Sequence, residues 1–138
     1  MDPNRVVVDT NILFAALLRH ETRSRQVLLT QSGYTFYAPR FVVVELFKHK
    51  ERIVQSTELS QEELLECLSA HFARIKFSDE GTIPIGVWME ARRLCVDVDI
   101  KDVPFVALTL HLDGLLWTAD EELKVGLQAK GFSQFFSP

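Results

Sequence analysis

Short runs of contiguous apolar residues alternate along this chain with longer stretches whose apolar positions recur at helical spacing. Arg5 to Val8 is β-branched and continuous, and predicts a buried strand closed by a polar turn. From Asn11 the pattern turns helical, with Ile12, Ala15, Ala16 and Leu18 on the apolar side. A second helix is expected over Ser24 to Gln31, closing at Gly33, and "YTFYAP" predicts a strand stopped by Pro39. Phe41 to Ile53 carries two signals. "FVVV" suits a strand, yet Val42, Val43, Leu46, Phe47 and Ile53 keep a helical stripe, which puts Glu45 on another face with Phe41 and Lys48. Helix is the expectation there.

Ser60 to Glu63 fits a capping box and opens a helix with Leu64, Leu65, Leu68 and Phe72 on one side. "RIKF" predicts a short strand and "SDEGTIP" a loop. A further helix runs from about Pro84 to Cys95, with Val87, Trp88, Ala91, Leu94 and Cys95 at helical spacing. "VDVDI" alternates, so an extended segment would place Asp97 and Asp99 on the same side. Asp102 is then the expected N-cap of a helix with Pro104 in its first turn, ending near "LDG". "LLWTAD" predicts a strand leading into a helix from Glu121 to Lys130, ended by Gly131, with a last short strand over Phe132 to Phe136. Strands alternating with helices, and no tight hairpin signals, imply an α/β fold: a three-layer α/β/α sandwich around a central, mostly parallel sheet.

Length and composition narrow this further. The 138 residues suit one domain, residues 1–138, and 47% hydrophobic with 25% charged residues is ordinary globular composition. No apolar run is long enough to span a bilayer, and "MDPNRVVVD" lacks the features of a signal peptide, so a cytoplasmic protein is expected. Cys67 and Cys95 lie in helical apolar patterns and match no zinc or redox spacing, which makes them buried reduced thiols. The net charge of −4 does not advertise a nucleic-acid binder. Basic residues nevertheless cluster at Arg19, Arg23 and Arg25 and again at Lys48, Lys50 and Arg52, where they can hold phosphates or simply form solvated helix faces. His20, His49, His71 and His111 are spread with no metal-ligand spacing, and no nucleophile elbow or nucleotide-binding glycine motif is present.

Four acids carry the candidate chemistry. Asp9 ends the first apolar run, Glu45 interrupts "FVVVELF", Asp102 opens "DVPFVALTL" and Asp120 follows "LLWTAD". Strand ends and helix starts are where open α/β sheets gather ligand groups. Each acid has a plain alternative: caps for Asp9, Asp102 and Asp120, and a surface pair with Lys48 or His49 for Glu45. Together they predict a carboxylate cluster with no obvious cation beside it. Two carboxylates about 4 Å apart repel by about 4 kcal/mol at an effective dielectric near 20. Such a cluster holds protons or a divalent cation, and hard oxygen donors favour Mg²⁺ or Mn²⁺. Asp99, three residues before Asp102, is a candidate additional ligand, whereas Asp97 suits a solvated edge.

Taken in order, "VVVDTNI", "VVVELF", "DVPFVALTLHLDGLLWTAD" and a closing helix resemble the PIN domain family of nucleases across nearly the whole chain. The resemblance implies a Rossmann-like fold whose acids Asp9, Glu45, Asp102 and Asp120 bind Mg²⁺ or Mn²⁺ and cleave RNA. Thr10, Asn11 and Thr118 would then support the carboxylates, and the doublet Glu121–Glu122 departs from the pattern. Implied too are a metal-dependent endoribonuclease acting on single-stranded or looped RNA, and, among stand-alone chains of this length, a toxin that homodimerises and is silenced by a small antitoxin protein. Apolar residues in "FSQFF" and around Val87, Trp88 and Met89 also suggest self-association. A haloacid-dehalogenase-type phosphoryl transferase would need a second acid two residues after Asp9, where Asn11 stands. A non-catalytic PIN-like module that binds protein or RNA without cutting is the remaining alternative.

Overall fold

The structure, a computed structural model, describes all residues from Met1 to Pro138. Its sheet has four parallel strands: β1 (Arg5–Val8), β2 (Thr35–Pro39), β3 (Ile75–Ser78) and β4 (Leu115–Trp117), ordered β3-β2-β1-β4. Val6, Val7 and Val8 are fully buried, as a central strand covered on both faces requires. Eight helices complete the layers: α1 (Thr10–Leu18), α2 (Arg23–Thr30), α3 (Phe41–Lys48), α4 (Lys50–Ser56), α5 (Gln61–Arg74), α6 (Ile85–Cys95), α7 (Val103–Leu112) and α8 (Glu121–Ala129). Helices α1 to α5 lie in the connections that step from β1 to β2 to β3, while α6 and α7 return the chain to β4 on the other side of β1. The strand order therefore reverses between β1 and β4. A crevice opens at the carboxyl ends of strands on either side of such a switch point.

Local chemistry accounts for most boundaries. Ser60 and Glu63 bond reciprocally as a capping box at the start of α5. Gly131, with φ of 93°, ends the last helix in the left-handed region that glycine enters without strain. At the entry to β4, a Cβ on Gly114 would lie 2.5 Å from the carbonyl oxygen of Arg5, so only glycine lets β4 close against β1.

Several sequence expectations are corrected. Phe41 to Ile53 is not one helix: α3 stops at Lys48 and α4 starts at Lys50, with His49 between them at φ −103° and ψ 15°. Of its expected stripe, Val42, Leu46 and Ile53 are buried, but Val43 and Phe47 are exposed. In α1 the buried face is Ile12, Leu13, Ala16 and Leu17, with Leu18 packed partly against the core, while Ala15 and, in α5, Leu65 face solvent. "VDVDI" is not extended; it forms a turn and then a 3₁₀ turn over Ile100–Asp102. The last strand reduces to a single bridge between Phe135 and Leu116, and Phe132 and Phe136 are core residues. Both cysteines are free and buried. No helix is long and apolar enough to cross a membrane.

Candidate active site

The crevice at the switch point is lined by Asp9, Glu45, Asp99, Asp102 and Asp120, with Thr10 and Asn11 beside them, in a volume of about 300 Å³. Residues spread over more than a hundred positions of sequence thus meet in one cleft. Asp9 stands one residue beyond β1 and Asp120 three beyond β4, so the parallel pairing of these strands brings them together. Glu45 is delivered by α3, and Asp102 by the start of α7.

Asp9 is almost wholly buried, at 4% exposure. Its Oδ1 accepts from the Thr10 amide at 2.7 Å and its Oδ2 from the Thr118 hydroxyl at 2.7 Å. The Thr118 oxygen in turn accepts from the Asp120 amide at 3.1 Å and from Asn11 Nδ2 at 3.4 Å. Asn11 Oδ1 accepts from the Ala119 amide at 3.4 Å. Thr118 is therefore the hub that holds the Asp9 carboxylate and the Asp120 backbone in register. Thr10 donates its hydroxyl to Glu45 Oε1 at 2.8 Å, so the plain alternative of a surface pair with Lys48 or His49 does not describe Glu45.

Asp120 caps α8 through Oδ1, which accepts from the Leu123 amide at 3.1 Å, and it also lines the cleft. Asp102 differs. It occupies the N-cap position of α7, yet its side chain makes no capping bond, contrary to the sequence expectation. Asp99 caps the 3₁₀ turn by accepting from the Lys101 amide at 3.0 Å. Asp97 points elsewhere and pairs with Lys130 at 2.9 Å. Glu121 pairs with Lys124 at 3.3 Å, and both Glu121 and Glu122 line a separate surface depression with Asp97. Neither member of the doublet lines the acid cleft.

The electrostatics follow from crowding. Burial, reinforced by the charges of Glu45 and Asp120, pushes Asp9 up to about 6 despite the opposing hydrogen bonds from Thr118 and Thr10. Asp102 is pushed up to about 8, first by burial and then by Asp9, Asp99, Asp120 and Glu45. Cys95, buried near Asp102 and Asp99, is pushed up to about 12, which makes it an inert thiol. No three His, Cys, Asp or Glu side chains converge into a closed ligand shell. The acids line an open cleft, as mutually repelling carboxylates should. Their chemistry fits a hard divalent cation: oxygen donors only, more negative charge than the site can hold ionised, and one half-buried carboxylate, Asp102, with no hydrogen bond from the protein.

Phe14, His49 and Lys101, which the sequence did not assign to the cleft, also line it, together with Arg52 of the second basic cluster. The expectation of no cation beside the acids is thus corrected, although neither Arg52 nor Lys101 forms an ion pair with any of them. Of the two basic clusters, Arg25 is committed to the Arg19 and His20 carbonyls outside the cleft. Lys50 lies over the Phe47 ring at 4.3 Å, on the apolar groove. Only Arg52 of those six lines the acid cleft. A spacing signal was available: Glu45, His49 and Arg52 are separated by four and three residues, the period of one helical face.

Comparisons with known proteins agree with this geometry. A family profile described as "PIN domain" matches residues 7–135. Among curated proteins there is no match. Among solved structures, the chain is similar to one in the crystal structure of VapBC2 from Rickettsia felis bound to a DNA fragment from their promoter. The two share 16% identity at a TM-score of 0.65, over 88% of this chain and 92% of that one, which is a likeness of fold.

Proposed function

Because the chain belongs to the PIN domain family, we propose that it is a metal-dependent endoribonuclease that hydrolyses phosphodiester bonds of single-stranded or looped RNA. The observation that carries this reading is Asp102: a half-buried carboxylate with no hydrogen bond from the protein, sharing one cleft with four further acids. A residue meant only to cap α7 would bond its amides, and this one does not. Asp9, Asp102 and Asp120 would hold Mg²⁺ or Mn²⁺, with Glu45 and Asp99 as the further oxygen donors. A bound divalent cation supplies charge stabilisation at the phosphoryl oxygens and an activated water.

The chain's own groups set the rest. Thr118 fixes Asp9 Oδ2, and Thr10 fixes Glu45 Oε1, leaving Glu45 Oε2 free to orient the attacking water and accept its proton. Asn11 braces Thr118 from the other side. Incubated with single-stranded RNA and Mn²⁺ or Mg²⁺, the purified protein should cut internally, and EDTA should stop it. Asp9→Asn, Glu45→Gln, Asp102→Asn and Asp120→Asn should each lower the rate by orders of magnitude. Groups that share one site act as a unit, so a double variant should lose far less than the product of the single losses. Four variants that cut like the parent would assign any cleavage to a contaminant and favour the non-catalytic module.

The similarity to VapBC2 supports a toxin role with a small antitoxin partner. An apolar groove of about 170 Å³ between α3, α4 and α5, lined by Val43, Phe47, Val54, Leu64, Leu68 and Phe72, is the surface on which that partner would lay an amphipathic helix. Phe47 is 68% exposed in the single chain, an unusual position for a phenylalanine. Homodimerisation belongs to the same reading. Phe132 and Phe136 of "FSQFF" are buried in the core, whereas Ile85 and Met89 on α6 are exposed.

A further inference from the structure

Helix α1 and the α3–α4 pair face each other along a line leading out of the acid cleft. On α1, Thr10 and Phe14 are four residues apart; opposite them Glu45, His49 and Arg52 follow at four and three. The contacts match in order. Thr10 bonds Glu45 at the inner end, the Phe14 and His49 rings meet edge to face at 6.4 Å, and the Arg52 guanidinium lies over the Phe14 ring at 5.4 Å. The break at His49 bends the helix without turning Arg52 out of the cleft.

Arg52 shares a cleft with five acids yet pairs with none of them, and its guanidinium donates no hydrogen bond within the protein. The guanidinium groups of Arg25, Arg74 and Arg93 are engaged; those of Arg19, Arg23 and Arg92 are not, but none of these lines the acid cleft. The Phe14 face holds the cation by its quadrupole rather than by a carboxylate, leaving the planar fork of donors open. Arg52 stands seven residues beyond Glu45, on the far side of the break at His49, at the outer end of the row that Glu45 begins. An anion entering the cleft beside Glu45 is what this fork fits. Stacking of a base on Phe14 is disfavoured, since the guanidinium already covers that face.

We propose that Arg52, poised over Phe14, holds a phosphate flanking the scissile one in single-stranded RNA; the assignment rests on the ribonuclease reading for its substrate. Arg52 is a substrate-binding residue and Phe14 its positioning residue. The test is fluorescence anisotropy with a labelled single-stranded oligoribonucleotide in EDTA, from about 50 to 200 mM salt. Arg52→Gln should weaken binding several-fold and flatten the log–log salt dependence by about 0.7, the loss of one phosphate contact on a single strand. Arg52→Lys should keep the parent's slope at lower affinity, Phe14→Leu should weaken binding with the slope retained, and Lys76→Gln on distant β3 should change neither.

With Mn²⁺ present, Arg52→Gln should raise KM with kcat within about twofold. A dinucleotide with a single phosphate should be cut alike by parent and variant. If Arg52→Gln flattens the salt dependence as expected but the parent never cuts, the ribonuclease reading falls and the phosphate subsite stands. If the parent cuts and Arg52→Gln matches it in slope and KM, the subsite falls and the ribonuclease reading stands. A parent that shows no salt-dependent binding of the oligonucleotide overturns the subsite directly.

Discussion

Without a divalent cation, this protein should lose stability as pH rises through neutrality, and Asp102 should be the cause. Its carboxyl is moved from an ordinary 3.8 to about 8, because burial and then four neighbouring acids penalise the charged form. A folded state that holds a proton more tightly than the unfolded chain binds more protons throughout that interval. Stability then falls with rising pH, at up to about 1.4 kcal/mol per pH unit, and the loss is complete once the folded pKa is passed. Asp9, moved from 3.8 to about 6, acts in the same direction but at lower pH. Buried His71 opposes it there: burial lowers its pKa below 6.5, so its contribution to stability grows as pH rises toward that value. The window from pH 6.5 to 8 therefore isolates Asp102.

Across that window the expected loss is about 2 kcal/mol, from about 1.4 kcal/mol per pH unit. A domain of this size should register it as a fall in Tm of about 5–10 °C. Urea denaturation and scanning calorimetry in EDTA, at several pH values from 6.5 to 8.5, measure it directly. Asp102→Asn should flatten the dependence and be more stable than the parent at pH 8. Saturating Mg²⁺ should reverse the loss, since a cation at about a hundred times its Kd contributes about 2.7 kcal/mol. A parent whose stability is flat or rising between pH 6.5 and 8 would refute the crowding argument. So would an Asp102→Asn variant that keeps the parent's slope.

Other substitutions separate the roles of neighbouring residues. Thr118→Val keeps the shape but strands Asp9 Oδ2 and the Asp120 amide; it should cost about 1–3 kcal/mol in denaturation and weaken Mn²⁺ binding about 10–100-fold by calorimetry. Asp97→Asn, which loses only an exposed pair with Lys130, should leave RNA cleavage unchanged, whereas Asp99→Asn at the cleft edge should give an intermediate rate. Phe47→Lys should abolish capture by a co-expressed antitoxin while leaving cleavage intact, measured by co-purification. Sedimentation of the isolated chain should show a dimer that Met89→Lys shifts toward 15.8 kDa monomer.

The central strand was legible because it is a contiguous β-branched run, and a run buried on both faces needs no alternation. The acids were legible because a charge at the end of such a run has few structural uses. The break at His49 was not, since no Pro or Gly marks it and the apolar stripe continues through it. "VDVDI" misled by its alternation. Four or five residues are too few to separate a strand from a turn, and the deciding contact is tertiary: Val98 packs where a Cβ on Gly126 would intrude, at 2.6 Å. "FSQFF" misled in the opposite sense, because Phe136 packs on Trp117 and Phe36, and Phe132 on Phe135, rather than on a partner. The Phe14–Arg52 rim depends on two helices meeting side by side, and sequence spacing along one of them gives only half of that.

The two ends of the site are built on opposite principles, and both follow from the fold. At the floor, β1 and β4 must pair for the sheet to form, so Asp9 and the Thr118–Asp120 turn are brought together whatever the charge. The Thr118 hydroxyl then partly offsets what burial costs. Asp102 has no such compensation. An asparagine or serine at the start of α7 could cap the helix without crowding the acids, at a gain of about 1 kcal/mol. The chain instead keeps an acid that neither caps nor pairs. At the rim an arginine stands within the same cleft, exposed to solvent and lying over the Phe14 ring rather than paired with an acid. The crowded carboxylates are unfavourable in the isolated protein, while the solvent-exposed guanidinium simply keeps its donors free. A divalent cation satisfies the first and a polyanion the second, which is how the two observations belong to one function.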